Sequence, residues 1–400
     1  MCADNIAAKE MAEALRRVTG RVQIGGEPRG KGFLVTPTVL LIDTAVLPTE
    51  TDAARGVVEF GDGSATFALR PDDLFVTAEA RGITLVAVAA QAANGMPLAD
   101  FSSTTPSTED AEDEDGLRTA LAAVQEGQAR PYYDTAADTA AREQYYAMVD
   151  RTAHPGELFT ALSRLVESTH VGRPKYQPAQ QLYPWVDLHP DRLLRSIYSG
   201  ATFTAEELVR ADARVASARR RRWTALLRET TTTFAAQAAA VEDELLFNCE
   251  HVVPQSWFRK AEPMRGDLHH LFACEPKCNS FRGNTPFFDY TGQEGIREKC
   301  GRSDTDGFEP VAGKGPAARA TLYFLVRYPG LIGDTAGELP PDRLDVLLSW
   351  HEQDPVSDYE RHRNAAIAEI QGNRNPFVDD PALVQLVDLR ASWTTTAATA

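Results

Sequence analysis

At Glu250-His251-Val252-Val253-Pro254 an acid stands directly before a histidine. Two further motifs follow in order, Asp267-Leu268-His269-His270-Leu271 and Asn279-Ser280-Phe281-Arg282-Gly283-Asn284. Together they require the fold to bring a short β segment, a histidine-bearing loop and the opening of a helix to one place. A carboxylate and an amide oxygen suit Mg²⁺, which keeps most of its waters and takes phosphate oxygens as further ligands. An imidazole titrating near neutrality can take a proton from water without binding the ion. Successive strand residues face opposite sides of a sheet, so Glu250 and His251 serve one site only where the strand is twisted, bulged or ended.

These motifs resemble the bacterial endonuclease I family, ββα-metal (His-Me finger) nucleases related to periplasmic and secreted DNases. Tyr183-Pro184-Trp185-Val186-Asp187, Ser196-Ile197-Tyr198-Ser199-Gly200, Arg363-Asn364 and Gln371-Gly372-Asn373-Arg374-Asn375-Pro376-Phe377 agree with it, and the resemblance runs from about Arg130 to about Pro381. It implies a metal-dependent endonuclease of low sequence specificity that leaves 5′ phosphates, acting on DNA first and RNA second. Carried over residue by residue, Glu250 and Asn279 hold Mg²⁺ (Mn²⁺ substituting) and His251 is the general base. Arg282, one helical turn beyond Asn279, grips a phosphate. Asp267, His269 and His270 support the site, one histidine pinning the loop. The alternative is a nuclease-fold module that binds nucleic acid or protein without cutting.

Five cysteines fit a reducing compartment better than a disulfide framework. Cys249, Cys274, Cys278 and Cys300 crowd the motifs. Many ββα-metal nucleases staple this small unit with four cysteines around zinc, because a hairpin and one helix bury too little to hold themselves. A structural Zn²⁺ is therefore one reading. Cys274 and Cys278 are spaced Cys-x₃-Cys rather than the usual Cys-x₂-Cys, and buried thiols or disulfides are the other readings.

The 400 residues, 43% hydrophobic and 24% charged, describe a soluble globular chain long enough for two or three domains. A formal charge of −16 argues against a dedicated DNA-binding protein, although a locally basic groove can operate under a negative total. Met1 to Glu10 lacks a basic stretch followed by an apolar core, and no apolar run is long enough to span a membrane. The expectation is a cytoplasmic chain without a membrane partner, and a nuclease placed there needs restraint.

Residues 1–90 carry a short amphipathic helix at 5–17. Candidate strands follow at Gly32–Thr36, Val39–Ile42, Gly56–Phe60 and Ile83–Val88, set off by Gly, Pro and Asp turn signals. The block resembles the first half-barrel of a trypsin-like serine protease of the glutamyl-endopeptidase type. Its chemistry is missing: Ala45 stands where a histidine should precede Val46-Leu47, and Gly82 where an aspartate should precede Ile83-Thr84-Leu85. Gly61-Asp62-Gly63-Ser64 lies ahead of the aspartate position, in a hairpin turn. A serine without base and orienting acid is an inert alcohol. The resemblance implies a dead module that meets a regulatory protein partner.

Residues 91–130 read as an acidic flexible linker, with seven acids after Phe101 against Arg118 and Arg130. Residues 131–400 form the nuclease-like domain, mostly helical. Leu158, Leu162, Leu165 and Val166 repeat at helical spacing after Pro155. Thr204-Ala205-Glu206-Glu207 is a capping box opening a long segment toward Leu246. Leu322 to Val326 and Tyr359 to Gln371 lie in helices ended by Tyr328-Pro329-Gly330 and by Gly372. The basic run Arg219–Arg222 reads as a solvated helix face. The fold class is α+β: helices around a small ββα unit, preceded by a β-rich domain.

Overall fold

The computed structural model describes residues 19–36, 38–60, 65–78, 83–92, 98, 107–228, 245–290, 296–333 and 338–394. The expected helix at 5–17, the Gly61–Ser64 turn and Gly82 lie outside them. The chain divides into two units, Met1–Glu114 with Ala216–Leu245, and Asp115–Val215 with Leu246–Ala400.

The first unit is built on six antiparallel strands: β1 (Thr19–Ile24), β2 (Glu27–Thr36), β3 (Val39–Asp43), β4 (Gly56–Phe60), β5 (Ala65–Ala78) and β6 (Ile83–Val88). They close in the order β1-β2-β3-β6-β5-β4, with β4 returning to β1. Alternate residues Val22, Ile24, Leu34, Leu40, Ile42, Val58, Phe60, Phe67 and Val86 fill the interior, as the two-residue strand period requires. Phe60 and Phe67 meet edge to face with centroids 5.9 Å apart, and truncating either to alanine should cost about 3–5 kcal/mol. The β1–β2 turn needs Gly25-Gly26, both at positive φ (60° and 85°), because two-residue hairpin turns that match strand twist demand the left-handed region. The sheet is thus a complete barrel without an open edge. Two strands, β1 and β5, were not legible; β5 shifts register between Arg70 and Phe75, which breaks its alternation.

A 23-residue helix, α1 (Ser107–Ala129), replaces the expected flexible linker over that span. In the second unit its Ala120 and Val124 are buried among Leu182, Tyr183 and Val186. Leu117, Ala120, Leu121 and Val124 recur at helical spacing, a signal masked by the preceding run of acids.

The second unit continues with α2 (Thr135–Tyr145), α3 (Pro155–Thr169), the two-stranded ribbon β7 (Leu194–Arg195) and β8 (Thr202–Phe203), and the part of α4 (Ala205–Arg228) up to Val215. Leu158, Phe159, Leu162 and Val166 form the buried face of α3. The capping box at Thr204 is present, its hydroxyl accepting from Glu207 N at 3.2 Å while Glu207 Oε2 accepts from Thr204 N at 2.7 Å. Then come β9 (Cys249–His251), β10 (Leu271–Ala273), α5 (Pro276–Arg282), a three-stranded sheet of β11 (Ile296–Glu298), β12 (Gly301–Ser303) and β13 (Phe308–Pro310), and the helices α6 (Lys314–Arg327), α7 (Leu344–Gln353) and α8 (Asp358–Gln371). Helix α6 is buried from Ala317 to Arg327. Its Arg319 is neutralised by a two-pronged bond to Glu360 of α8, 2.6 and 2.9 Å. Such pairs hold direction well but contribute little net stability after desolvation.

Candidate active site

Antiparallel β9 and β10 set Glu250 opposite Phe272 and His251 opposite Leu271, and α5 follows β10 after two residues. Asp187 fastens β10 from outside the hairpin. Its Oδ2 accepts from Ala273 N at 2.6 Å, and its Oδ1 accepts from Arg363 Nε at 2.8 Å and the Tyr359 hydroxyl at 2.7 Å. Arg363 also donates to the carbonyls of Leu268 (2.7 Å) and Leu271. The site loop is therefore clamped by α8, almost a hundred residues later in the chain.

Glu250 is buried, and both of its donors fall on Oε1: the Tyr198 hydroxyl at 2.8 Å and Arg282 Nη1 at 3.3 Å. Burial pushes this carboxyl up to about 7, with Arg282 and Tyr198 restraining the rise. His251 Nε2 lies 2.9 Å from the Arg265 carbonyl. A carbonyl can only accept, so Nε2 carries the proton and Nδ1 the lone pair. Burial, then the neighbouring His270, holds the imidazole well below its ordinary range. It is neutral at pH 7.

Strand alternation persists: Glu250 meets Tyr198 and Arg282, while His251 packs against Tyr176 and His270 at centroid distances of 4.5 and 5.4 Å. β9 ends at His251. Asn279, half-buried on α5, donates from Nδ2 to the Cys249 carbonyl at 2.9 Å, which orients the amide and leaves Oδ1 as its other end. Glu250 and Asn279 thus meet through one backbone group and Arg282; no hydrogen bond joins either to His251.

The residue expected to grip a phosphate is Arg282. It is 1% exposed and turned inward, donating to Val252 O at 2.9 Å as well as to Glu250. The Phe287 ring covers it at 5.0 Å. In this position it neutralises and orients the carboxylate.

Asp267 is a buried hub. Its Oδ1 accepts from His269 N (3.1 Å) and Gln371 Nε2 (3.0 Å), and its Oδ2 from the Tyr323 (2.7 Å) and Tyr328 (2.9 Å) hydroxyls. Burial alone would raise its carboxyl, but His269, His170, His270 and the Gln371 amide more than offset this and hold it far below the ordinary range. His269 Nε2 faces the Asn373 carbonyl at 3.3 Å and His270 Nε2 the Met264 carbonyl at 2.6 Å. Both rings hold the loop.

The cysteines do not converge. Cys278 and Cys300 form a disulfide tying α5 to the turn before β12, and Cys249 and Cys274 are buried free thiols. With two sulfurs bonded to each other, the four-cysteine zinc reading is withdrawn, as is the preference for reduced thiols throughout. Among the described residues no three or more His, Cys, Asp and Glu side chains gather as a metal site.

The family model for Endonuclease I matches residues 175–382, just over half of the chain. This chain belongs to the endonuclease I family. It is similar to an extracellular ribonuclease of Bacillus subtilis, 39% identical over 149 residues that cover 34% of this chain and 51% of that protein. A periplasmic deoxyribonuclease of Aeromonas hydrophila is 32% identical over 121 residues, 29% of this chain and 48% of that protein. An extracellular deoxyribonuclease of the same organism is 33% identical over 121 residues, 29% and 50%. The chain spans about half the length of the curated relatives it matches. Extracellular and periplasmic relatives sit poorly with the expected cytoplasmic location. The disulfide points the same way, because disulfides persist where the surroundings oxidise. Among the described residues no helix is long and apolar enough to cross a membrane.

Sequence reasoning marked the blocks around Tyr198, Asp187, Arg363 and Gln371 without giving them roles. Their partners lie 50 to more than 170 residues away, and no local spacing encodes such contacts. Tyr323 and Tyr328 carried a faint signal, one tyrosine within a helix that otherwise reads as apolar and one directly after its end.

Proposed function

We propose that this endonuclease I family member is a metal-dependent endonuclease that hydrolyses phosphodiester bonds of nucleic acid with little sequence specificity, leaving 5′ phosphates. The observation that carries the reading is a neutral His251, protonated on Nε2, on the same hairpin-helix unit as Glu250 and Asn279. We read that unit as a ββα-metal motif. His251 Nδ1 accepts the proton of the attacking water, and the Arg265 carbonyl stabilises the imidazolium that forms. One carboxylate and one amide oxygen fit Mg²⁺ or Mn²⁺, which draw their remaining ligands from water and phosphate. When bound, the ion supplies charge stabilisation at the phosphoryl oxygens. Arg282 and Tyr198 hold Glu250 by Oε1 and so direct Oε2, and Asn279 is aimed by the Cys249 carbonyl. The relatives named ribonuclease and deoxyribonuclease support either nucleic acid as substrate.

The barrel supports a separate, chemically silent role. Ala45 donates its amide to Asp43 Oδ1 at 2.8 Å, and Thr84 of β6 reaches the same loop through the Leu47 carbonyl at 3.1 Å. Ala45, at the position where the resemblance expects a histidine, has no side chain to react, and this supports reading the barrel as a degenerate trypsin-like module. We propose that it recognises a regulatory protein partner.

One observation favours the alternative, a nuclease-fold module that binds without cutting: Glu250, poised near 7, is already paired with Arg282. The test compares full-length wild type with Glu250→Ala and Asn279→Ala on plasmid DNA and RNA, in Mg²⁺ and in chelator, with end-labelling of products. Loss of Mg²⁺-dependent cutting in both variants and 5′-phosphate ends support the enzyme. Cutting that survives chelation removes the metal assignment, and a wild type that binds but never cuts favours the alternative.

A further inference from the structure

We infer that the face beside His251 is a track for the phosphate backbone of a nucleic-acid strand, carried by Arg173, Lys175, Arg259, Lys260 and Arg265. The inference rests on the nuclease reading above and adds residues that the motifs do not contain. Arg265 is its centre. Its carbonyl accepts from His251, its guanidinium stands over Tyr176 at 5.5 Å, and its Nε donates to Gln255 Oε1 at 2.9 Å. Tyr176 in turn lies against the His251 ring, 4.5 Å between centroids. The cation is thereby held one side chain away from the proposed base.

Two further segments converge on it. Gly266 lets the segment 173–176 pass in contact, for a Cβ there would sit 1.9 Å from the Pro174 carbonyl. That contact, with the Arg265 guanidinium over Tyr176, brings the backbone that carries Arg173 and Lys175 to the Arg265 loop. On the other segment, Arg259 and Lys260 are consecutive non-glycine residues at φ 56° and 55°. Side chains with a Cβ avoid this region, and two in succession mark a loop held in a strained shape, which concentrates at functional sites. Bonds from Lys260 N to Gln255 O (2.8 Å) and from Arg259 N to Ser256 O (3.3 Å) lock it. Arg173, Lys175 and Arg259 are exposed and form no ion pair among the described residues.

In a chain of net charge −16, the two segments 173–176 and 259–265 hold five cations and the single acid Glu262, whose Oε2 is engaged by Gly266 N at 3.2 Å. Cations beside a reacting phosphate fix the strand's register without reading its sequence, which matches low sequence specificity. Each phosphate neutralised releases counterions, so each cation removed should lower the salt slope of binding by about 0.9 for duplex and about 0.7 for single strands.

The test measures binding of fluorescein-labelled duplex and single-stranded oligonucleotides by full-length His251→Ala protein between 50 and 300 mM KCl (concentrations on the order used to resolve such slopes). Lys175→Gln, Arg259→Gln and their combination are compared in that background with Arg390→Gln, a cation outside this face. The expected result is a stepwise fall in affinity and slope for the first three and none for Arg390→Gln. In the active protein Lys175→Gln and Arg259→Gln should raise KM more than they lower kcat. Unchanged slopes in the folded charge variants, with the parent still binding, overturn the track alone. A parent that binds neither oligonucleotide overturns the nuclease reading with it.

Discussion

Glu250→Gln should flatten one component of the protein's pH-dependent stability. The Glu250 carboxyl sits at about 7 in the folded chain against an ordinary 4.5, so the native state holds more protons than the unfolded state between those values. Stability must therefore fall as pH rises through that window and level off above it. The interval from 4.5 to about 7, at about 1.36 kcal/mol per pH unit, makes the full component about 3 kcal/mol. Glutamine keeps an acceptor for Tyr198 and removes the titration, while leaving Arg282 buried opposite a neutral group. Its absolute stability will therefore also drop, but without this pH slope. The assay is urea unfolding from pH 4.5 to 8.5 in chelator, followed by tryptophan fluorescence. Four of the five tryptophans, Trp185, Trp257, Trp350 and Trp393, lie in the second unit and Trp223 in the first, so the signal is dominated by the unit that holds Glu250, and a Trp223→Phe background confines it there. The difference, wild type minus variant, should fall by about 3 kcal/mol across the range. A difference that stays flat would refute the buried, carboxyl-raised Glu250.

Denatured, unreduced protein should titrate three thiols, Cys2, Cys249 and Cys274, of its five cysteines; five thiols would remove the Cys278–Cys300 bond. Reducing that bond should cost the second unit about 3 kcal/mol, the loop entropy of a separation of 22 residues, read as a lower urea midpoint. Asp267→Ala strips the acceptor from two tyrosine hydroxyls, the Gln371 amide and the His269 amide, and should destabilise the second unit by about 3–5 kcal/mol; a midpoint within experimental error of wild type would show that the hub does not hold the loop. The whole chain should show no peptidase activity and no labelling by serine-directed fluorophosphonates, because Ala45 offers no base; stoichiometric labelling of the barrel would overturn the silent-module proposal.

Much of the architecture was legible where a local pattern carried it. The apolar spacing of Leu158, Leu162 and Val166, the box at Thr204 and Glu207, and Gly372 at positive φ each need only a few neighbouring residues to be read. The linker between barrel and nuclease was misread because charge density was weighed over 101–130 as a whole, while Leu117, Ala120 and Val124 had already begun a helix. Arg282 has an environment that the motif does not carry. Its spacing from Asn279 gives its side of the helix, but whether that side meets solvent or Phe287 depends on a residue outside the motif. The disulfide is likewise a tertiary fact, since the approach of Cys300 to α5 depends on the β11–β13 sheet. What the motif carries is the chemistry of Glu250, His251 and Asn279; what positions them, Asp187, Asp267 and Arg363, comes from contacts across the unit.

The most direct measurement of the central claim is cleavage by purified full-length wild type and His251→Ala, at equal folded concentration by circular dichroism, on DNA and on RNA in Mg²⁺. Loss of the base should lower the rate about 10²–10⁴-fold while binding to the same substrate persists. Equal rates in the two folded proteins would contradict the assignment of His251 as the group that activates water.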